Sequence, residues 1–182
     1  MSLPLHTLKH EHRVIEKALR GLSGICVRLE SGDQVPAEVI SDILDFVGGF
    51  ADRYHHGKEE KYLFPTLQQG NVLDDEAFDA LNQEHEIERV LTAEMDSLLR
   101  GLKAGHNLDI QLLAKTALRY IDHLTAHIRH EDSILFRFAD ELLDESEKEK
   151  LNENFTRAAI ELGQDEIERY EQIAVRLERD WA

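Results

Sequence analysis

Four histidines and two glutamates carry the chemical interest of this 182-residue chain. His12, His55, His85 and His127 fall on helical stripes that are otherwise apolar and should face a core. His55 and His127 are each followed four residues later by a carboxylate, Glu59 and Glu131. Residues four apart are neighbours on one helix face, so each such pair can reach one metal centre. Burying these groups unpaired would cost about 2–7 kcal/mol per polar group. A pair of cations removes that cost, with four neutral imidazoles supplying nitrogen and two carboxylates bridging the ions and cancelling charge. Such a donor set suits Fe, Mn or Zn, and the lack of cysteine ligands argues against a structural zinc site or an iron–sulfur cluster.

The elements that must position these groups read as helices. Breaks are expected at Ser31–Gly32–Asp33 with Pro36, at Pro65 and Gly70–Asn71, between Gly101 and Gly105, and more weakly at Asp144–Glu145–Ser146. The first helix carries the seam Leu8, His12, Ile15, Leu19, Leu22, Cys26 and Leu29, whose steps alternate four and three. The second points Ile40, Leu44, Val47, Ala51, His55, Glu59 and Tyr62 inward. The third starts near Asp74 and runs Phe78, Leu81, His85, Glu88, Thr92, Met95 and Leu99, with Ile87, Val90 and Leu91 competing for the core face. The fourth runs Leu113, Ala117, Tyr120, Leu124, His127, Glu131, Ile134 and Phe138. A further helix should follow a capping box at Ser146–Glu149, with Gly163 able to split it. The expected fold class is all-α: an antiparallel up-down-up-down four-helix bundle over residues 1–140, with an additional C-terminal helical extension, 141–182, packing on it.

A single inward histidine is ordinarily a hydrogen-bonded core residue; four on successive helices, two with paired glutamates, favour a metal site. His6, His10 and His106 read as surface residues, whereas His56, His123 and His130 lie close enough to the ligand positions to hydrogen-bond them. Tyr54, Tyr62 and Tyr120 read as core beside the site, and the lone Cys26 as a small packing hydrophobe. The net charge of −16 argues against nucleic acid and against an anionic membrane surface. No apolar run is long enough for a membrane span, and the N-terminal residues lack the apolar stretch of a signal peptide, so the expected location is cytoplasmic. The acidic residues after position 140 read as a solvated face. Neither Glu-x-x-His nor His-Glu-x-x-His occurs, which excludes the ferritin-type pattern and the zincin proteases.

The segment from Phe50 to Pro65, with His55-His56-Gly57-Lys58-Glu59-Glu60 at its centre, resembles the hemerythrin HHE cation-binding domain. So do Glu11–His12, Glu84–His85 and the stretch from His127 through Glu131 to Phe136. The resemblance covers about residues 5–140 and implies a non-haem di-iron centre, two Fe ions held by His12, His55, His85 and His127 and bridged by Glu59 and Glu131. An internal match supports His55 over His56: His55-x3-Glu59-x3-Leu63-Phe64 aligns with His127-x3-Glu131-x3-Leu135-Phe136, leaving Glu60 and Asp132 as equivalent acids. The chain departs from the oxygen-carrying hemerythrins, which have His-x3-His on the third helix; here Leu81 precedes His85 by four. In this it resembles the iron–sulfur-repair and iron-sensing branches, without the cysteine pair of the former. Glu88, one turn after His85, is either a substitute ligand or an exposed helix glutamate. The resemblance implies a protein that binds or reduces O2, peroxide or NO, in sensing, storage or stress response. The alternatives are a metal-dependent regulatory module without turnover and a metal-free structural bundle; enzymatic turnover and a homodimer stay open.

Overall fold

The computed structural model describes residues 1–70, 72, 74–103 and 110–182. Asn71, residues 104 and 105 and His106, where two of the expected breaks and one expected surface histidine fall, lie outside the described residues. The described residues form an all-helical bundle of six helices with no strand. They are α1 (Leu3–Glu30), α2 (residues 37–69), α3 (Asp75–Lys103), α4 (residues 110–142), α5 (Glu145–Leu162) and α6 (Gln164–Trp181). Asp74 caps α3, its carboxylate accepting from the Ala77 amide at 2.9 Å. Side-chain pairs give the direction of neighbouring helices. Lys9 reaches Asp132 while Ser2 reaches Asp140, and His85 reaches Glu60 while Arg89 reaches Asp52. Both pairs of helices, α1 with α4 and α2 with α3, therefore run antiparallel.

One expected break is absent: α2 continues through Pro65 to Gln69. Helix α3 runs through Gly101 to Lys103, and the rest of the expected break there lies outside the described residues. A proline inside a helix lacks its N–H and crowds the carbonyl one turn back. Here the turn before Pro65, Glu59–Leu63, is π-helical, as is the preceding stretch Val47–His56. The i→i+5 spacing widens the helix and absorbs the proline without a break. Helix α4 contains a third π-helical turn at Glu131–Leu135.

That turn inserts one extra residue into the inward stripe. Beyond Glu131 the buried positions are Leu135, Phe136 and Ala139, and the expected Ile134 and Phe138 are exposed. Among the competing residues of α3, Leu91 takes the core face and Ile87 and Val90 point to solvent. The capping box that opens α5 lies two residues earlier than expected: Asp144 and Glu147 exchange the reciprocal bonds, both at 2.8 Å. Gly163, with φ +93°, separates α5 from α6. Helix α6 lies against α1, where a Cβ on Gly21 would come within 2.6 Å of the Leu177 backbone, so only glycine permits the approach.

The apolar interior comes in two clusters. One joins Val14–Leu29 of α1 with Ile40–Tyr54, Leu91–Leu99, Leu113–Ile128 and the inner face of α6. The other joins Leu5 and Leu8 with Leu63, Phe64, Leu67, Leu81, Leu135 and Phe136, and is closed by Leu151 and Phe155 of α5. On α1, α2, α3 and α4 the positions between the two clusters are occupied by His12, by His55 to Glu59, by His85 to Glu88 and by Glu131. The bundle thus holds one polar layer between two apolar plugs.

Candidate metal centre

All six residues expected from the sequence meet in this layer. His12, His55, Glu59, His85, His127 and Glu131 are buried, and His12, His55, His85, Glu59 and Glu131 expose no surface. Their potential ligand atoms form two groups whose members lie within 4.8 Å of one another: His12, His55, Glu59 and Glu131; and His56, Glu59, His85 and His127. Glu59 belongs to both, with Oε1 at 3.4 Å from His55 Nε2 and Oε2 at 3.7 Å from His85 Nε2. Glu131 Oε2 lies 3.3 Å from both His12 Nε2 and His127 Nε2. Each carboxylate therefore spans the two halves.

His56 is the residue the sequence reading placed outside the set. It is 1 % exposed, its ring is stacked on His85 at 3.9 Å, and both of its nitrogens are without a hydrogen-bond partner. Side chains of consecutive helical residues diverge by about 100°, so His55 and His56 face different halves of the layer. Of the remaining histidines, His6, His10 and His130 are exposed, as expected for the first two, and His123 is half-buried. Tyr54 and Tyr120 are buried beside the site, and Tyr62 is half-buried. Glu88 is buried, which overturns the reading of it as an exposed helix residue.

A closed ring of acids orients the imidazoles. Glu11 of α1 faces His55 Nδ1 of α2 at 2.9 Å, and Glu60 of α2 faces His85 Nδ1 of α3 at 2.7 Å. Glu84 of α3 faces His127 Nδ1 of α4 at 2.7 Å, and Asp132 of α4 faces His12 Nδ1 of α1 at 2.9 Å. Glu11 and Glu84 each precede a histidine of the layer in sequence, Glu60 and Asp132 each follow one of its glutamates, and every one of the four serves the histidine of another helix. A carboxylate at Nδ1 holds the proton there and turns the Nε2 lone pair inward, the arrangement that supports metal-bound histidine. Glu11 is itself held by the buried Lys58, whose ammonium lies 3.8 Å from the centre of the Tyr54 ring.

The inward atoms lack partners of their own. His12 Nε2, His55 Nε2, both nitrogens of His56 and all four oxygens of Glu59 and Glu131 are buried without a hydrogen bond. His85 Nε2 and His127 Nε2 face each other at 3.2 Å, although both rings already place a proton on Nδ1. Two lone pairs at that distance require a cation or a proton between them.

The electrostatics point the same way. Burial and then the charge of Glu131 push Glu59 well above the usual carboxylate range. Burial also opposes the charge on Glu131, but the charge of His127 and the close approach of His12 and His127, each 3.3 Å away, hold it well below that range. Against the cost of burial, Glu131 and Glu84 raise His127 well above the ordinary imidazole value. His56 is pushed far down by burial and then by its histidine neighbours, and His55 falls to about 4, chiefly by burial. Without metal, protons on Glu59 and His127 thus stand where cations would bind. Five imidazoles, four of them oriented from behind by an acid, and two spanning carboxylates fit N/O-ligated transition-metal ions.

Comparison with known proteins agrees with this geometry. The chain is 29% identical over 151 residues to the uncharacterized protein Rv1995 of Mycobacterium tuberculosis (strain ATCC 25618 / H37Rv) and to the uncharacterized protein Mb2018 of Mycobacterium bovis. The alignments cover 81% of this chain and 58% of each relative, so the chain spans little more than half the length of the curated proteins it matches. No solved structure matches it. Residues 3–139 match the hemerythrin HHE cation-binding domain, and the chain belongs to that family.

Proposed function

We propose that the chain is a non-haem di-iron protein that binds or reduces O2, peroxide or NO, with a sensing, storage or stress-response role. In this reading His12 and His55 would hold one ion and His56, His85 and His127 the other, with Glu59 and Glu131 shared between them. The observation that carries it is the set of inward-turned, unpartnered Nε2 atoms around two carboxylates that each span both halves. An iron pair would supply two electrons and open coordination positions for a small diatomic or peroxide ligand.

The protein's own residues set the conditions for that chemistry. Glu11, Glu60, Glu84 and Asp132 fix the imidazole orientations, so little rearrangement accompanies a change in metal charge. Phe136 stacked on His12 and Phe64 against His85 exclude water from one side of the layer. Mn or Zn would fit the same donors. Among the described residues no helix is long and apolar enough to cross a membrane. The domain division at residue 140, a cytoplasmic location and a homodimer belong to the same proposal.

Anaerobic loading with Fe(II), followed by absorption spectra before and after O2, peroxide and NO, tests the function. Two irons per chain and a new ligand-dependent band are expected. Full iron loading with no spectral response to any of the three would refute small-ligand chemistry.

A further inference from the structure

Glu88 is 3 % exposed and lies just outside the two ligand groups. Its Oε1 lies 3.1 Å from His123 Nδ1, and its Oε2, without a hydrogen bond, lies 3.5 Å from His56 Nε2. The nearest arginine does not serve it, because Arg89 is held by Asp52, Glu60 and Glu86. A buried carboxylate with a free oxygen is costly to keep and is relieved by a visiting cation.

The side of Glu88 away from the layer is open. Asp52, His56, Glu88, Thr92, Asp96 and Tyr120 line a cavity of about 530 Å³ that opens to solvent between α2, α3 and α4. His56 and Glu88 form its inner end, and His123, partly exposed, flanks Glu88. By contrast, Phe136 and Phe64, both without exposed surface, close the layer from the opposite apolar cluster. An oxygen donor and a nitrogen donor outside the centre, between a cavity open to solvent and an inward histidine, make a staging point rather than a fixed ligand.

Resting on the metal-centre reading above, we propose that Glu88 and His123 form a transient site for a divalent transition-metal cation, through which the centre is loaded from this cavity. Asp45, Asp52, Glu88 and Asp96 outnumber Arg89 and Arg100 in the lining, so its net negative charge concentrates the cation, Glu88 strips part of its hydration shell, and His56 receives it. Negative walls of this kind raise local cation concentration and association rates by tenfold or more.

Cobalt(II) serves as the probe, because its visible absorption reports ligation directly. Stopped-flow loading of the metal-free chain is compared with Glu88→Gln, which removes the charge, and Ala93→Trp, which narrows the mouth at an exposed position. Both variants should load on the order of tenfold more slowly, with wild-type final cobalt content and final spectrum. Loading of either variant at the wild-type rate overturns the proposal. So does a lowered cobalt content or altered final spectrum in Glu88→Gln, which would make Glu88 a permanent ligand. A wild-type chain that takes up no cobalt would instead refute the metal centre itself.

Discussion

Replacing Glu59 by glutamine should leave the metal-free protein nearly unchanged and abolish most of its stabilisation by metal. The sign follows from the protonation state of the layer. Burial and the neighbouring Glu131 keep Glu59 neutral without metal, and a neutral carboxyl differs from an amide by little in shape or desolvation. The cost to the metal-free form should be about 1 kcal/mol. With metal the two side chains diverge, because a glutamine cannot bridge two cations with two anionic oxygens. At a hundredfold excess over Kd, each bound ion contributes ~2.7 kcal/mol, and two contribute ~5 kcal/mol. For a chain of this size that corresponds to a rise of ~10–20 °C in Tm. Scanning calorimetry of metal-free and Co(II)- or Zn(II)-loaded protein gives both numbers. A rise in Glu59→Gln equal to that of the wild type would show that Glu59 does not bridge. No rise in the wild type would remove the metal site altogether.

Other outcomes follow from the same geometry. Glu84→Ala releases the Nδ1 bond of His127 and should weaken metal binding ~10–100-fold in chelator competition, with helix content by circular dichroism unchanged. Metal uptake near neutral pH should release the protons held on Glu59 and His127, read as acidification of a weakly buffered indicator, and affinity should fall as pH drops. Stability of the metal-free chain should decline in both directions in a denaturation series. The raised values of His127 and Glu59 give stability that is present at low pH and lost as pH rises through their folded values. The lowered value of His55 gives stability that is present above about 6.5 and lost as pH falls towards about 4, worth ~3 kcal/mol. Burial pushes the Cys26 thiol up to about 12, so alkylation at pH 8 should proceed only as fast as the chain unfolds.

Much of the centre is written in the sequence because a helix repeats. A histidine on a stripe that is otherwise apolar can be read from spacing alone, twice with a glutamate four residues later, and the four histidines and two glutamates read that way are in the layer. The all-helical class was legible for the same reason, and the division at Gly163 because a glycine can end a helix. The orienting acids were half legible. Glu60 and Asp132 stand out as equivalent partners of the internal repeat, but nothing in a linear spacing says that each acid serves the next helix. That exchange depends on the packing of α1 against α2 and α4, which brings Glu11 to His55 and Asp132 to His12.

What spacing could not show has one physical origin. A period of 3.6 assumes that every turn is the same width, and here three stretches at the ligands are π-helical, at Val47–His56, Glu59–Leu63 and Glu131–Leu135. Each extra residue shifts the phase of everything after it, which is why Ile134 and Phe138 face solvent and Leu135 and Ala139 are buried. The internal match of the two halves, which has one histidine at each corresponding position, set His55 against His56 as alternatives. A centre for two ions needs donors on both sides of a helix's inward direction, and adjacent residues diverging by about 100° provide that where residues four apart cannot. The missing histidine four before His85 is the other half of this argument. Leu81 packs into the apolar plug, and His56 of α2 brings a nitrogen to the half of the layer that His85 and His127 share. On the proposed ligand assignment, a His-His pair on one helix and a single histidine on the next are not two departures from a pattern but one compensated rearrangement. Among the variants that test it, His56→Leu should drain the His85–His127 half of its ion, and His55→Leu the other.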